Sequence, residues 1–265
     1  MIHKFDLSEA LANLVAADWQ SDLSPIRFKE DILLGEFSGA RLFTNARLFL
    51  SAVANRESTQ ATQTGSLQRA VVSDMLRVLE WPRAYMEPIR NHFRVINELD
   101  VWPLHIIRIT CEMAGLLIRR RSRFLATRKA RELLADDKAG ALYRRLFIAC
   151  FRRVNLDYYS RFANEFPGIQ QSFAVILWRL RDLAEDWVSA AGIIPRILLP
   201  SVLSEVKNGC VRRDNIPYIV SGHVYIPLTW FGLLEHNSEE PRFAVLGKCS
   251  IRKTALFDKF IEIEF

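Results

Sequence analysis

The sequence predicts a mainly α protein with small β-hairpins, arranged as tandem winged-helix-like modules joined by a helical segment. Three observations predict it. Apolar residues recur at helical spacing through most of the 265-residue chain. Two short runs, Leu116 to Arg120 and Arg123 to Ala126, flank a tight polar connection at Arg121-Ser122 and read as a hairpin. The order helix, short strand, helix, helix, hairpin, helix occurs once clearly and again in outline, which is the order of a helix-turn-helix with an appended wing.

The elements follow in turn. Leu7, Ala10, Leu11, Leu14 and Val15 mark a helix over residues 7–19, with Ser8 as a plausible N-cap. Residues 26–39 read as loop or a short helix. Leu42, Phe43, Ala46, Leu48, Phe49 and Val53 stripe a helix over 40–55. A polar run follows, within which Gln60 to Gln63 could be a short strand. Thr64-Gly65-Ser66 announces a helix over 66–80, capped by Ser66 or Thr64 and ended by Trp81-Pro82. Residues 82–98 connect to a helix over 100–114, with Pro103 in its first turn and Gly115 closing it. After the hairpin, Thr127 caps a helix from Arg128 to Leu134.

A long helical segment covers 139–166, where Tyr143, Leu146, Phe147, Cys150, Phe151 and Val154 share one face. Phe166-Pro167-Gly168 is the clearest boundary signal in the chain. Beyond it come helices near 170–183, 189–199 and 201–206, a polar loop over 207–217, and an apolar run from Val224 to Phe231. Gly232-Leu233-Leu234-Glu235 then stands where Gly115-Leu116-Leu117-Ile118 stood, and Arg242 to Leu246 parallels Arg123 to Ala126. The alternating Ile261 to Phe265 suits a strand. The organisation this gives is an N-terminal helical extension (1–39), a winged-helix-like module (40–135), a basic helical connector (136–166) and a second module (167–265).

Composition bounds the function. The net charge of +6 is concentrated. Between Arg119 and Arg153 stand 12 Lys/Arg against three acids, a local +9 that leaves −3 for the rest. Cys111, Cys150, Cys210 and Cys249 form no CxxC pair and read as free thiols. No run approaches the roughly 20 apolar residues of a bilayer span, and the first residues lack a secretory h-region. The expectation is a cytoplasmic protein with no membrane partner.

Several stretches carry a resemblance to a known family: Thr64-Gly65-Ser66-Leu67, Trp102-Pro103-Leu104-His105, Ala114-Gly115-Leu116-Leu117, Tyr143-Arg144-Arg145-Leu146-Phe147 and Lys253-Thr254-Ala255-Leu256-Phe257-Asp258-Lys259. Over residues 40–265 the chain resembles uncharacterised bacterial proteins of helical, winged-helix-like character, some fused to plasmid-type open-reading-frame domains. Ser66 departs from the asparagine that follows the glycine in that family, and serine also caps a helix. The resemblance implies the fold and adds no chemistry.

The candidate functional residues are cationic. Arg119, Arg120, Arg121 and Arg123 sit on and beside the hairpin, with Arg128, Lys129 and Arg131 just after it. Guanidinium groups on a protruding ribbon suit phosphate, because the charge is permanent and the fork bidentate. The competing reading is a solvated charged edge that blocks strand-to-strand aggregation. On the helix before the hairpin, His105 and Arg108 are the polar tips that could join such a contact. Glu112 shares their face and would repel phosphate, and at i, i+4 it could pair with Arg108. The rest of that helix is too apolar for strict base reading, so backbone and shape contacts are expected.

The second wing, Glu235 to Glu240, is acidic and suits a protein contact. Wings of opposite charge suggest a division of labour, or self-association into a homo-oligomer.

Catalytic patterns are missing. His3, His92, His105, His223 and His236 show no HxH or HxxxH spacing, and there is no GxSxG, GxGxxG or GxxxxGK. Asp182, Glu185 and Asp186 share a helix face but lack further ligands and read as a solvated helix end. Tyr158-Tyr159 beside Arg152, Arg153 and Arg161 could stack bases, though core packing is the simpler reading. The expectation is a non-catalytic protein without metal or cofactor that contacts phosphate backbone. The alternative is a protein-interaction scaffold.

Overall fold

The computed structural model describes residues 7–56, 59–160, 165–210, 212, 215–238 and 249–264. It is mainly helical with small antiparallel sheets, as expected. The chain forms two compact units, residues 30–154 and residues 1–29 with 155–265. The break falls after Val154, upstream of Phe166-Pro167-Gly168. That triplet lies within a unit, where Phe166 and Gly168 are buried and Pro167 opens a helix.

The first elements of the chain, α1 (Leu7–Ala16) and β1 (Ile26–Phe28), belong to the unit that holds residues 155–265. They are a built-in part of its core rather than an extension. Between them Trp19 packs at a tilt against Phe28 (5.1 Å between centroids) and reaches Phe173 (6.4 Å).

The unit of residues 30–154 contains α2 (Arg41–Ala54), β2 (Thr59–Gln60), α3 (Arg69–Val78), α4 (Arg83–His92), α5 (Trp102–Met113), β3 (Leu117–Arg120), β4 (Arg123–Ala126), α6 (Arg128–Leu133) and α7 (Ala139–Arg152). The three strands pair in the order β2-β4-β3. Its core is aromatic where α2 meets α7. Phe37, Phe43 and Tyr143 lie mutually within 4.6–5.5 Å, and burial pushes the Tyr143 hydroxyl well above its ordinary pKa.

Helix α5 is buried nearly all round, which is why its sequence is apolar on every side. The helix expected as a connector, α7, packs on α5 and buries ten of its 14 residues. One of its arginines, and the one that ends it, cap α5. Arg145 Nε donates to the Ala114 carbonyl (2.6 Å) and Arg153 Nη1 to that of Met113 (3.1 Å), placing positive charge at the negative end of that helix.

The second unit continues with α8 (Leu156–Ser160), α9 (Pro167–Gln171), α10 (Phe173–Leu183), β5 (Val188–Ser189), α11 (Ile194–Ile197) and α12 (Pro200–Gly209). Next come α13 (Ile216–Val220), a π-helical turn (Ser221–Tyr225) and α14 (Ile226–Trp230), which run on as one irregular helix. Pro227 accounts for the wide turn: it has no N–H to give, and its ring displaces the carbonyl four residues back. The chain ends with β6 (Leu234–His236), β7 (Ser250–Lys253), α15 (Ala255–Phe260) and β8 (Ile261–Ile263). Strand β8 pairs antiparallel with β1, Ile26 opposite Ile263, so the terminal strand expected from sequence finds its partner near the start of the chain. The stretch expected as a helix over 189–199 begins instead as β5.

The three remaining strands pair in the order β5-β7-β6, the same as β2-β4-β3. The internal similarity at Gly115 and Gly232 extends to hydrogen bonding. Both glycines have positive φ, 67° and 73°, the left-handed conformation that ends a helix. Leu116 N–H returns to Cys111 and Leu233 N–H to Leu228, both at 2.9 Å. Thr127 donates its N–H to Leu116 and its hydroxyl to the Gly115 carbonyl (3.1 Å). Thr254 does the same to Leu233 and Gly232 (2.6 Å). The equivalent of β4 expected at Arg242 to Leu246 lies outside the described residues, and β7 takes that position in the sheet.

Candidate nucleic-acid interface

The hairpin forms where the sequence placed it. Register pairs Leu117 with Ala126, Ile118 with Leu125, Arg119 with Phe124 and Arg120 with Arg123. Only Arg121 and Ser122 are left for the turn, and both have positive φ, 45° and 60°. A two-residue turn of this hand needs two left-handed residues, a place normally taken by Asn-Gly. Two residues with side chains cost energy there and persist only where the surroundings fix them. The fixing contact is from β2's side: the Ala61 N–H donates to the Ser122 carbonyl (2.8 Å).

Side chains alternate along a strand, so the register sorts the arginines. Leu117, Arg119, Phe124 and Ala126 share the face toward the core. Ile118, Arg120, Arg123 and Leu125 share the outer face, and Arg121 stands at the apex. Arg119, Arg120, Arg121 and Arg123 are all exposed. The side chains of Arg120, Arg121 and Arg123 make no hydrogen bond or ion pair among the described residues. Arg120 and Arg123 lie directly opposite each other, an arrangement that destabilises a sheet for like charges. Arg119 folds back along the core face: a Cβ placed on Gly65 (φ 86°) would sit 1.8 Å from its Nη1, so the bare glycine is its seat.

The residues that follow divide. Arg128 and Lys129 are exposed in the first turn of α6, behind Thr127, whose hydroxyl accepts the Ala130 N–H (3.1 Å). No acid stands in that turn, and cations are unfavourable beside a helix N-terminus. Glu132 moderates both and pairs with Lys129 (2.8 Å). Arg131 is used structurally, donating to the Ala54 carbonyl at the end of α2 (2.6 Å).

His105 and Arg108 do not join the wing surface. They are 4% and 6% exposed and turn inward to Glu98, itself buried. Glu98 Oε1 meets His105 Nδ1 and Arg108 Nε, both at 2.6 Å, and the other oxygen accepts the Leu67 N–H. Burial by itself would raise the Glu98 carboxyl, but His105, Arg108 and that N–H together hold it below its ordinary value. The i, i+4 pair of Arg108 with Glu112 forms as expected, and Arg108 also lies over the Phe124 ring of β4 (5.3 Å). Burial pushes the Glu112 carboxyl up, with Arg108 and Arg119 offsetting part of the shift. The hairpin is thus braced from below by a charge network centred on Glu98. Sequence reasoning missed Glu98, although it stands seven and ten residues before the two side chains it binds. Beside Gly65 opens a groove of about 690 Å³, lined by Thr62, Thr64, Ser66, Arg69, Glu98 and Asp100 among others. Its mixed charges do not extend the positive surface.

Three other clusters resolve structurally. His223 Nε2 lies 3.0 Å from Asp157 Oδ1 and 3.2 Å from Ser160 Oγ, while Nδ1 meets the Ile219 carbonyl (2.7 Å). A catalytic relay needs acid and nucleophile on opposite ring nitrogens. Here both meet the same one, and the contact ties α8 to the π-helical turn. Tyr159 is buried against Trp230 (5.5 Å), Tyr158 is exposed, and Arg161 lies outside the described residues. Of the carboxylates near 182–186, Asp182 pairs with Arg181, and Glu185 with Lys253.

Residues 38–140 match the Y4jL N-terminal domain family, a stretch that runs from just before α2 to the start of α7. Neither curated proteins nor solved structures yield a match. No helix among the described residues is long and apolar enough to cross a membrane.

Proposed function

We propose that the protein is a non-catalytic nucleic-acid-binding or regulatory accessory protein, built from two winged-helix-like modules, whose first wing holds phosphate backbone. The module reading is supported by the repeated strand order, β2-β4-β3 and β5-β7-β6, and by the glycine–threonine clasp common to both units. One observation carries the binding reading: Arg120, Arg121 and Arg123 crowd one strained turn without a carboxylate partner among the described residues. A solvated edge needs neither the crowding nor the strain. A polyanion would offset the crowding of like charges.

The contact is to backbone rather than to base sequence. Helix α5, in the position of a recognition helix, has spent His105 and Arg108 on Glu98. The test is fluorescence anisotropy with a labelled oligonucleotide, comparing the wild type with Arg120→Ala/Arg121→Ala. Affinity should fall by a similar factor for unrelated sequences. Unchanged affinity in the double variant would defeat the reading.

The protein-docking alternative fits the second unit. Its strand cations are already paired, Arg252 with Glu235 (2.7 Å) and over the Trp187 ring (4.8 Å), and Lys253 with Glu185 and Asp258. A stoichiometric protein partner that survives nuclease treatment in a pull-down, and is lost on Trp187→Ala, would place docking there.

A further inference from the structure

We infer that the phosphate contact is a track across the three-stranded sheet, running from Arg120 through Arg123 and Gln60 to Gln68, and that it holds one backbone strand of a nucleic acid. This rests on the reading above, that the hairpin contacts phosphate, and names the surface and the form of ligand it fits.

The row follows from register. Arg120 lies opposite Arg123 on β4, and Arg123 lies opposite Gln60 on β2. The chain just before α3 continues the sheet beyond β2: Ala61 bridges Leu67 antiparallel, and the Gln68 N–H donates to the Gln60 carbonyl (3.2 Å). Gln68 is still extended (φ −66°, ψ 151°), so it stands opposite Gln60. Opposite residues share a face, and neighbours along a strand alternate. Burial agrees. Thr59, Ala61, Leu67 and Phe124 are buried on the core face, while Arg120, Arg123, Gln60 and Gln68 are exposed on the other. Three gaps of about 4.8 Å make the row about 14 Å long.

The row carries donors and no acid. Two guanidinium groups stand at one end. Two amides continue it, and Gln68, although it is the N-cap of α3, makes no side-chain cap bond. Amides donate to phosphate and sugar oxygens as arginines do, without adding charge. A lone phosphate would occupy the Arg120–Arg123 pair and leave the amides idle. A linear phosphodiester engages the whole row. The row stops at Gln68, where Glu98 and Asp100 line the adjoining groove. Glu98 is held there by His105 and Arg108, and Asp100 accepts the Asn97 N–H (2.8 Å).

The second unit supplies an internal comparison, because its sheet has the same strand order. In the matching row Ser189 lies opposite Ser250. Asn237 donates its N–H to the Ser250 carbonyl (3.2 Å), and Ser250 donates its own to Asn237 Oδ1 (2.8 Å). Those three residues carry no charge, so the track has no counterpart there among the described residues.

The test adds charge instead of removing it. Gln60→Lys in the full chain should steepen log affinity against log salt by about 0.9 for a DNA duplex and about 0.7 for a single strand, because one more phosphate is neutralised. Asn91→Lys, at an exposed position of α4 outside the row, should leave both slopes unchanged. Gln60→Glu pairs with Arg123 across the strands, and should lower both slopes while leaving the thermal melt unchanged or raised.

Unchanged slopes in both Gln60 variants, with wild-type binding intact, would overturn the track and leave the phosphate reading of the hairpin standing. An equal gain from Asn91→Lys would do the same, as would a gain confined to the duplex or to the single strand. Absence of wild-type binding to either would remove both.

Discussion

At the scale of single residues, the most consequential side chain is Glu98. It is fully buried and holds His105, Arg108 and the Leu67 N–H at once, linking α5 to the turn on which Arg119 rests. Removing one member of a buried ion pair strands the others, at about 3–5 kcal/mol. Glu98→Gln should lower stability in urea by about 3 kcal/mol at pH 7. The pH dependence has a definite sign. An acid whose folded pKa lies below its ordinary 4.5 stabilises the fold above that value, and gives this up as pH falls through the folded pKa. The gap between wild type and variant should therefore narrow below pH 4.5; a constant gap would contradict the network. The sequence made His105 and Arg108 legible as polar tips on an apolar helix. It did not reveal which way they turn, because a buried acid from outside that helix decides it.

At the scale of elements, the β3-β4 hairpin combines a strained turn with facing like charges. Its strand limits, its two-residue turn and its Thr127 cap were all legible, since alternation, punctuation and capping are local properties of the chain. The cost is local too: two left-handed residues with side chains, and Arg120 facing Arg123. Replacing Arg121-Ser122 by Asn-Gly should raise stability by about 1 kcal/mol while weakening polyanion binding. A thermal melt checks the first and anisotropy the second. A melt that falls would mean the turn is not strained. Less legible were the ends of helices whose signals conflict. Ser66 and Thr64 looked like caps for α3, but Thr62 takes the Ser66 N–H and the helix starts three residues later, at Arg69.

At the scale of the whole molecule, the two units share a strand order and a glycine–threonine clasp. The repeat was visible in sequence only as Ala114-Gly115-Leu116-Leu117 against Phe231-Gly232-Leu233-Leu234. Those residues form a tight joint in which backbone geometry dictates side chains: a left-handed glycine, a buried leucine and a threonine that closes on both. The remaining positions need only be apolar, so they diverge freely. The assignment of residues 1–29 to the C-terminal unit was illegible, because β1 and β8 are paired from opposite ends of the chain. If the joints are equivalent, Thr254→Val should cost about 1 kcal/mol, the value of one hydrogen bond, and Thr127→Val about 1 kcal/mol more, because its hydroxyl also caps α6. Denaturant unfolding of the two variants checks this, and a cost at only one of them would argue against a shared plan.

The proposed function hangs on uncompensated charge at the β3-β4 hairpin, and the salt dependence of duplex binding measures it most directly. Each phosphate neutralised contributes about 0.9 to the slope of log affinity against log salt. Arg120→Ala/Arg121→Ala should lower the slope by close to 2. An unchanged slope, or affinity insensitive to salt in the wild type, would contradict a wing that holds phosphate.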